Sequence, residues 1–248
     1  MGSSSAPTPR KSGASIGDRL AALEWARIER DLDAQGYATI GQLLRASECA
    51  ELIALYPDRD RFRSRIVMER LGYGVGEYKY FARPMPPMVE EIRATMYRAL
   101  APTANRWAER MRSHDSYPPT LAEFLKVCAT HGQTRPTPLI LRYEQGGYNC
   151  LHQDLYGEVA FPLQFTCALS RRGSDFEGGE LLLVEQRPRA QSRGEAIALD
   201  AGEGIIFANR YRPAPGARGY RRVNLRHGVS SIRSGVRYAM GIIFHDAA

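Results

Sequence analysis

From Thr137 to the C-terminus the chain is a succession of short apolar runs with no helical spacing between them, and this texture limits its architecture more than any other feature. The runs are Pro138–Tyr143, Phe165–Leu169, Glu180–Val184, Glu195–Leu199, Gly204–Phe207 and Arg237–Phe244. Each is rich in β-branched, aliphatic or aromatic residues and is broken by Gly, Pro, Asp or Ser, the punctuation of strands. Parallel strands need a crossover helix between them, and none is patterned here. The runs therefore indicate a sandwich or barrel rather than βαβ units.

Residues 17–136 read differently. Asp18 is placed to cap a helix running to Gln35, with Trp25, Ile28 and Leu32 on one face and Gly36 as its stop. Tyr37–Ile40 reads as a short strand and Ser47–Tyr56 as a helix ended by Pro57. Residues 61–83 fit two strands around the glycine-rich loop Gly72–Gly76. A long helix is expected over Met88–Met111 and a shorter one over Leu121–Ala129. The expected fold is α+β. N-terminal helices (17–136) pack on a double-stranded β-helix, a jelly-roll or cupin-like core (137–248), in one domain with a shared interior. Residues 1–16, rich in Ser, Gly, Ala and Pro, are expected to form a disordered tail.

Composition narrows the setting. Cys49, Cys128, Cys150 and Cys167 are scattered, without a CxxC pair, as in a protein with reduced thiols. No signal-peptide core and no membrane-spanning run is present, so a cytoplasmic protein is expected. The net charge is +7, and of the 34 basic residues only Lys11, Lys79 and Lys126 are lysines. That charge suits a phosphate backbone and equally suits the arginine bias of a GC-rich genome.

His152-Gln153-Asp154 carries the chemistry. Residues i and i+2 of an extended segment share a face, so His152 and Asp154 can reach one metal while Gln153 points away. His227 lies far along the chain, where a jelly roll brings a later strand back beside an earlier one. Two imidazoles and one carboxylate make the facial triad of non-haem Fe(II) oxygenases, although zinc accepts the same donors. His114, His131 and His245 read as surface residues.

Arg237 tips the balance to iron. It begins an apolar strand, and a guanidinium facing a barrel interior needs an anion, best a carboxylate held by two hydrogen bonds. Tyr143 is placed to offer its hydroxyl to the same carboxylate.

The segments Arg142–Asp154, Phe176–Glu180 and Asn224–His227, with Arg237, resemble the Fe(II)/2-oxoglutarate-dependent dioxygenase superfamily over residues 137–246. Within it they resemble a bacterial family described as oxygenases acting on damaged nucleic acid, and AlkB-type repair dioxygenases. The resemblance implies His152, Asp154 and His227 as iron ligands. Arg237 would hold the distal carboxylate of 2-oxoglutarate, with Tyr143 assisting. It further implies that O2 and 2-oxoglutarate are consumed, that succinate and CO2 are formed, and that a substrate C–H bond is hydroxylated. On an N-methyl group the resulting alcohol breaks down to formaldehyde and the demethylated base.

Two features depart from AlkB-type enzymes. Ile243 stands where they carry a second arginine, and residues 60–83 show no counterpart of their substrate-gripping lid. For alkylated DNA or RNA the candidate contacts are Arg210, Arg212 and Arg221, in a segment that interleaves Arg and Tyr and extends through Arg218 to Arg222. This segment is expected at the site mouth. The alternatives are a hydroxylase of protein or amino-acid side chains of the prolyl type, with Tyr148 and Tyr156 lining its groove, and a non-catalytic cupin-like binding module. Oligomeric state is not legible.

Overall fold

A computed structural model describes residues 13–187, 189–217 and 219–248. Its helices are α1 (Ile16–Ala21), α2 (Trp25–Gln35), α3 (Ala46–Ala54), α4 (Pro87–Arg110) and α5 (Leu121–Thr130). The N-terminal part also supplies strands β1 (Tyr37–Gln42), β2 (Phe62–Val67), β3 (Gly74–Val75) and β4 (Glu77–Phe81). After it come β5 (Leu139–Glu144), β6 (Tyr148–His152), β7 (Leu163–Ala168), β8 (Phe176–Gly178) and β9 (Leu181–Gln186). The chain ends with β10 (Arg193–Ile197), β11 (Glu203–Ala208), β12 (Tyr211–Gly216), β13 (Gly219–Val229) and β14 (Ile232–Ile243).

Every pairing between these strands is antiparallel. One sheet runs β1-β11-β7-β14-β5-β4-β2, with β8 beside β14, and the other runs β10-β9-β13-β6-β3, with β12 beside β13. This is the expected double-stranded β-helix. Alternation along the strands assigns the faces. Ile206 and Ala208 of β11, and Met240 and Ile242 of β14, join the core cluster that contains Leu20, Ile28, Leu32, Trp107 and Phe124 of the helices. Ile205 and Phe207 of the same β11 point the other way and pack with Leu181 and Leu183 of the second sheet. Helices and strands of both halves therefore meet in one cluster.

The N-terminus departs from expectation in detail. Asp18 does not cap a single helix to Gln35. Ser15 is the cap, its hydroxyl accepting from the Asp18 N–H at 3.1 Å, while the Asp18 carboxylate accepts from the Ser15 N–H at 2.9 Å. This capping box starts a short α1, and the chain turns before α2 begins at Trp25. Gly36 ends α2 at φ 83°, as its position suggested.

Two of the three arginine expectations change. Arg212 is 3% exposed, and its Nε donates to Glu185 Oε2 at 2.8 Å beneath Gly36, so it is a structural ion pair and not a nucleic-acid contact. Arg212→Ala is expected to lower unfolding free energy by about 3 kcal/mol in urea titrations, because it leaves the Glu185 carboxylate buried with less compensation. Arg210 is exposed, with its guanidinium 4.6 Å from the Tyr211 ring centroid. Arg221 is exposed six residues before His227 on β13, roughly 20 Å along the strand at about 3.3 Å per residue. Its neighbour Arg222 donates to the Met111 carbonyl at the end of α4 at 3.2 Å. The β12–β13 hairpin therefore docks on the helices through Arg222, while its base adjoins the segment of His152 and Asp154 through Asn209 and Asn224. Arg218 lies outside the described residues, and of the tail expected over 1–16 residues 1–12 do too, whereas Ser15 and Ile16 are ordered in the cap and first turn of α1.

Candidate metal centre and co-substrate pocket

The register of the second sheet builds the metal centre. His152 at the end of β6 is paired directly with His227 in β13. Asp154 follows His152 by two residues, and the ligand atoms of the three side chains lie within 4.8 Å of one another. His227 Nε2 is 3.2 Å from Asp154 Oδ2 and His152 Nε2 is 3.5 Å from Asp154 Oδ1. The two imidazole centroids are 4.1 Å apart. Two neutral nitrogens and one anionic oxygen facing a common point are a donor set suited to Fe(II).

Surrounding groups fix each donor. His152 Nδ1–H donates to the Cys150 carbonyl at 2.7 Å, which leaves Nε2 with the lone pair for a metal. The Asp154 main chain is held by Asn209, whose Oδ1 accepts from the Asp154 N–H at 2.9 Å. Gln153 does point away, as its spacing required, and its amide donates to Asn224 Oδ1 and to the Leu225 carbonyl, both at 2.7 Å. The Tyr156 hydroxyl donates to Asp154 Oδ1 at 2.7 Å. Tyr156→Phe is accordingly expected to weaken metal binding about tenfold to a hundredfold, measured by Mn(II) titration with electron paramagnetic resonance.

Burial and charge set the protonation of the three groups. Burial works to raise the Asp154 pKa, but the two imidazoles of His152 and His227 beside it hold its carboxyl well below the usual range. Burial and the neighbouring His152 push His227 below the ordinary imidazole value, so it is neutral and able to ligate. Burial opposes a charge on His152 as well, yet the hydrogen bond and charge of Asp154 hold its pKa above the ordinary value.

The triad opens into a cavity of about 440 Å³ between the two sheets, lined also by Tyr78, Tyr143, Asn149, Gln164, Thr166 and Arg237. Arg237 on β14 is paired directly with Tyr143 on β5. Its guanidinium is 3% exposed and makes no ion pair or side-chain hydrogen bond among the described residues. Its neighbours are the rings of Tyr143 and Phe176, at 5.8 and 5.9 Å. A buried cation without an anion is a costly arrangement that a bound carboxylate relieves. The Tyr143 hydroxyl accepts from Asn149 Nδ2 at 3.3 Å. Gly179, at φ 63°, makes room for Arg237, since a Cβ there would sit 2.8 Å from Arg237 Cδ.

Other assignments are redrawn. Tyr156 lines the cavity as expected, but its hydroxyl serves Asp154. Tyr148 is exposed at the start of β6, opposite Val75, and is not on the cavity wall. His245 is fully buried, contrary to the surface role expected of it. Its Nδ1 accepts from the Phe161 N–H at 3.2 Å, and burial pushes its pKa down to about 4. Residues 60–83, in which no lid was legible, contribute Gly72, Tyr73 and Tyr78 to the cavity wall. Tyr73, Leu151 and Leu155 leave an apolar rim, being 49, 41 and 40% exposed.

Comparison with known proteins agrees with this geometry. The Oxygenase-NA family, described as oxygenases catalysing oxidative methylation of damaged DNA, matches residues 76–247. Uncharacterized protein Rv2227 of Mycobacterium tuberculosis H37Rv is 48% identical over 168 residues, which are 68% of this chain and 72% of that protein. A Pseudomonas putida prolyl-4-hydroxylase superposes with TM-score 0.56 at 15% identity, covering 90% of this chain and 99% of the other. A 2-oxoglutarate–Fe(II) oxygenase-family oxidoreductase of Burkholderia pseudomallei superposes with TM-score 0.52 at 14% identity, covering 96% of each chain. The chain belongs to the Oxygenase-NA family of oxygenases, and its double-stranded β-helix is the fold of the 2-oxoglutarate–Fe(II) oxygenases on which it superposes.

Proposed function

We propose that this oxygenase removes methyl groups from alkylated bases of nucleic acid by oxidation, with His152, Asp154 and His227 as iron ligands and Arg237, assisted by Tyr143, as the anchor of the distal 2-oxoglutarate carboxylate. The observation that carries the assignment of the site is the buried guanidinium of Arg237, without a partner among the described residues, on the wall of the cavity that holds the triad. The nucleic-acid substrate rests on the family description and agrees with a net charge of +7.

When bound, iron with 2-oxoglutarate and O2 supplies the oxidising chemistry, and succinate and CO2 are its co-products. The chain's own part is to place groups. Cys150 and Asn209 hold His152 and Asp154 in ligating orientation, and Tyr156 fixes one oxygen of Asp154. Arg237 neutralises the far end of the co-substrate. Leu139, Leu141 and Ala239 line the same cavity with apolar surface and keep water from the reacting C–H bond. The rim of Tyr73, Leu151 and Leu155 offers a stacking surface to a planar base turned out of its strand.

No helix among the described residues is long and apolar enough to cross a membrane. All four cysteines are free thiols, in keeping with a cytoplasmic setting.

A second reading is hydroxylation of a prolyl-type peptide, favoured by the likeness in fold to the Pseudomonas putida prolyl-4-hydroxylase. The test is release of formaldehyde from N-methylated single-stranded DNA and RNA, set beside hydroxylation of a proline-peptide panel. Formaldehyde in proportion to succinate, with oligonucleotide binding that weakens steeply with salt, is the expected result. Turnover of peptides alone would transfer the assignment to the second reading.

A further inference from the structure

Gln164 has no part in the assignments above, yet its side chain reaches one of the three ligands. It lies on β7, in the sheet opposite His227, paired with Phe207 on one side and Ile243 on the other. Alternation turns Gln164 and Thr166 into the barrel while Leu163, Phe165 and Cys167 face the helices. Gln164 is 3% exposed, and its Nε2 sits 3.1 Å from His227 Nε2. Its Oε1 is buried with no hydrogen-bond partner among the described residues.

This contact and metal binding exclude each other. The amide N–H can donate to His227 Nε2 only while that nitrogen keeps a free lone pair, and a metal takes the lone pair. The buried carboxamide then loses its one partner and must find another. Neighbouring positions on an octahedral metal are about 3 Å apart, so an oxygen ligand beside His227 falls within reach of the group that previously touched Nε2. Arg237 lines the same cavity and is suited to the far carboxylate of 2-oxoglutarate, which leaves the carboxylate at the metal without an assigned donor.

We infer that Gln164 is a positioning residue that donates its amide N–H to the metal-bound carboxylate of the 2-oxo acid next to His227, gripping the co-substrate at the end opposite Arg237. This rests on the metal assignment proposed above. The same amide holds the His227 ring in place before metal arrives, because the other ring nitrogen, Nδ1, has no partner among the described residues.

The test needs no turnover. Full-length wild type, Gln164→Leu, Gln164→Glu and Arg237→Ala are loaded with Mn(II) without oxygen. Metal binding is read by electron paramagnetic resonance, and binding of 2-oxoglutarate and of pyruvate by calorimetry. Pyruvate keeps the 2-oxo acid end and lacks the distal carboxylate. In Gln164→Leu, Mn(II) affinity should stay within about threefold while both acids bind about tenfold more weakly, the worth of one charge-assisted hydrogen bond. Gln164→Glu keeps the shape and sets an anion against an anion, so both acids should bind more weakly still. Arg237→Ala should lose affinity for 2-oxoglutarate and keep it for pyruvate.

Unchanged acid binding in both Gln164 variants would overturn the inference and leave the metal site standing. Loss of Mn(II) binding in step with acid binding, or loss of the fold in both variants by circular dichroism, would make Gln164 structural and overturn it as well. Wild type that binds neither Mn(II) nor 2-oxoglutarate would instead overturn the site assignment beneath it.

Discussion

Replacing His152 or Asp154 by alanine is expected to abolish Fe(II)-dependent conversion of 2-oxoglutarate to succinate and to remove tight metal binding in the same step. Each substitution takes away one of three donors, and no other His, Cys, Asp or Glu among the described residues joins that cluster. Asp154 matters doubly, since its carboxylate is the single anionic donor and both imidazoles lie against it, at 3.2 and 3.5 Å. The fold should survive, because His152 and Asp154 sit at the open end of β6, outside the main hydrophobic clusters. Circular dichroism separates the two effects: an unchanged melting curve with succinate at the metal-free background is the expected pair of results. Succinate formed at the wild-type rate by either variant would remove these residues from the site.

The pH dependence of metal binding follows from the same three groups. A protonated imidazole has no lone pair to give, so protons and metal compete. His152, whose pKa lies above the ordinary value, protonates first as pH falls, before His227 and Asp154, whose values are depressed. Metal affinity should therefore weaken on acidification, led by one proton.

Removing the guanidinium of Arg237 is expected to raise the 2-oxoglutarate requirement by two to three orders of magnitude, in line with the loss of one partner of a buried charge pair. Iron affinity should change little, because Arg237 belongs to β14 in the opposite sheet and is absent from the cluster of metal-ligating groups. Arg237→Lys should recover part of the loss, since an ammonium restores the charge without the two-pronged geometry. The measurement is the KM for 2-oxoglutarate beside the Mn(II) dissociation constant. Equal losses in both would show that Arg237 supports the barrel and does not bind co-substrate.

The parts of this protein that could be read from its sequence are those encoded by neighbours. The strands of the C-terminal half announce themselves by apolar runs and turn residues. His152 and Asp154 do so by an i, i+2 spacing that needs only an extended chain. Arg237 stands out as a charge opening the apolar run Arg237–Phe244, although the strand that holds it begins earlier, at Ile232. Residues whose role depends on distant partners were hidden. β13 is eleven residues long yet carries Arg221, Arg222 and Arg226, and β12 contains Pro213 and Pro215, so neither strand shows the apolar run that marks the others. Arg212 looked free because Glu185 lies far from it in the chain. His245 seemed terminal and exposed, whereas β14 carries it into the core beside Phe161.

Tyr156 and Gln164 show the same limit from two sides. Tyr156 follows Asp154 by two residues, and that spacing was available as a signal for a hydroxyl beside the carboxylate. Gln164 sits in β7, Leu163–Ala168, where strict alternation sets Gln164 and Thr166 on the face opposite Leu163, Phe165 and Cys167. Polar residues on the inner face of a barrel strand are the mark of a lined cavity, but only once the strand's inward face is known.

Anomalous diffraction from crystals grown with Mn(II) and 2-oxoglutarate without oxygen would locate the metal and the co-substrate together. One manganese peak is expected in coordinate-bond contact with His152, Asp154 and His227, with a co-substrate carboxylate paired with Arg237. A His227 ring turned away from the ion, or a metal bound elsewhere with the triad empty, would contradict the site assignment.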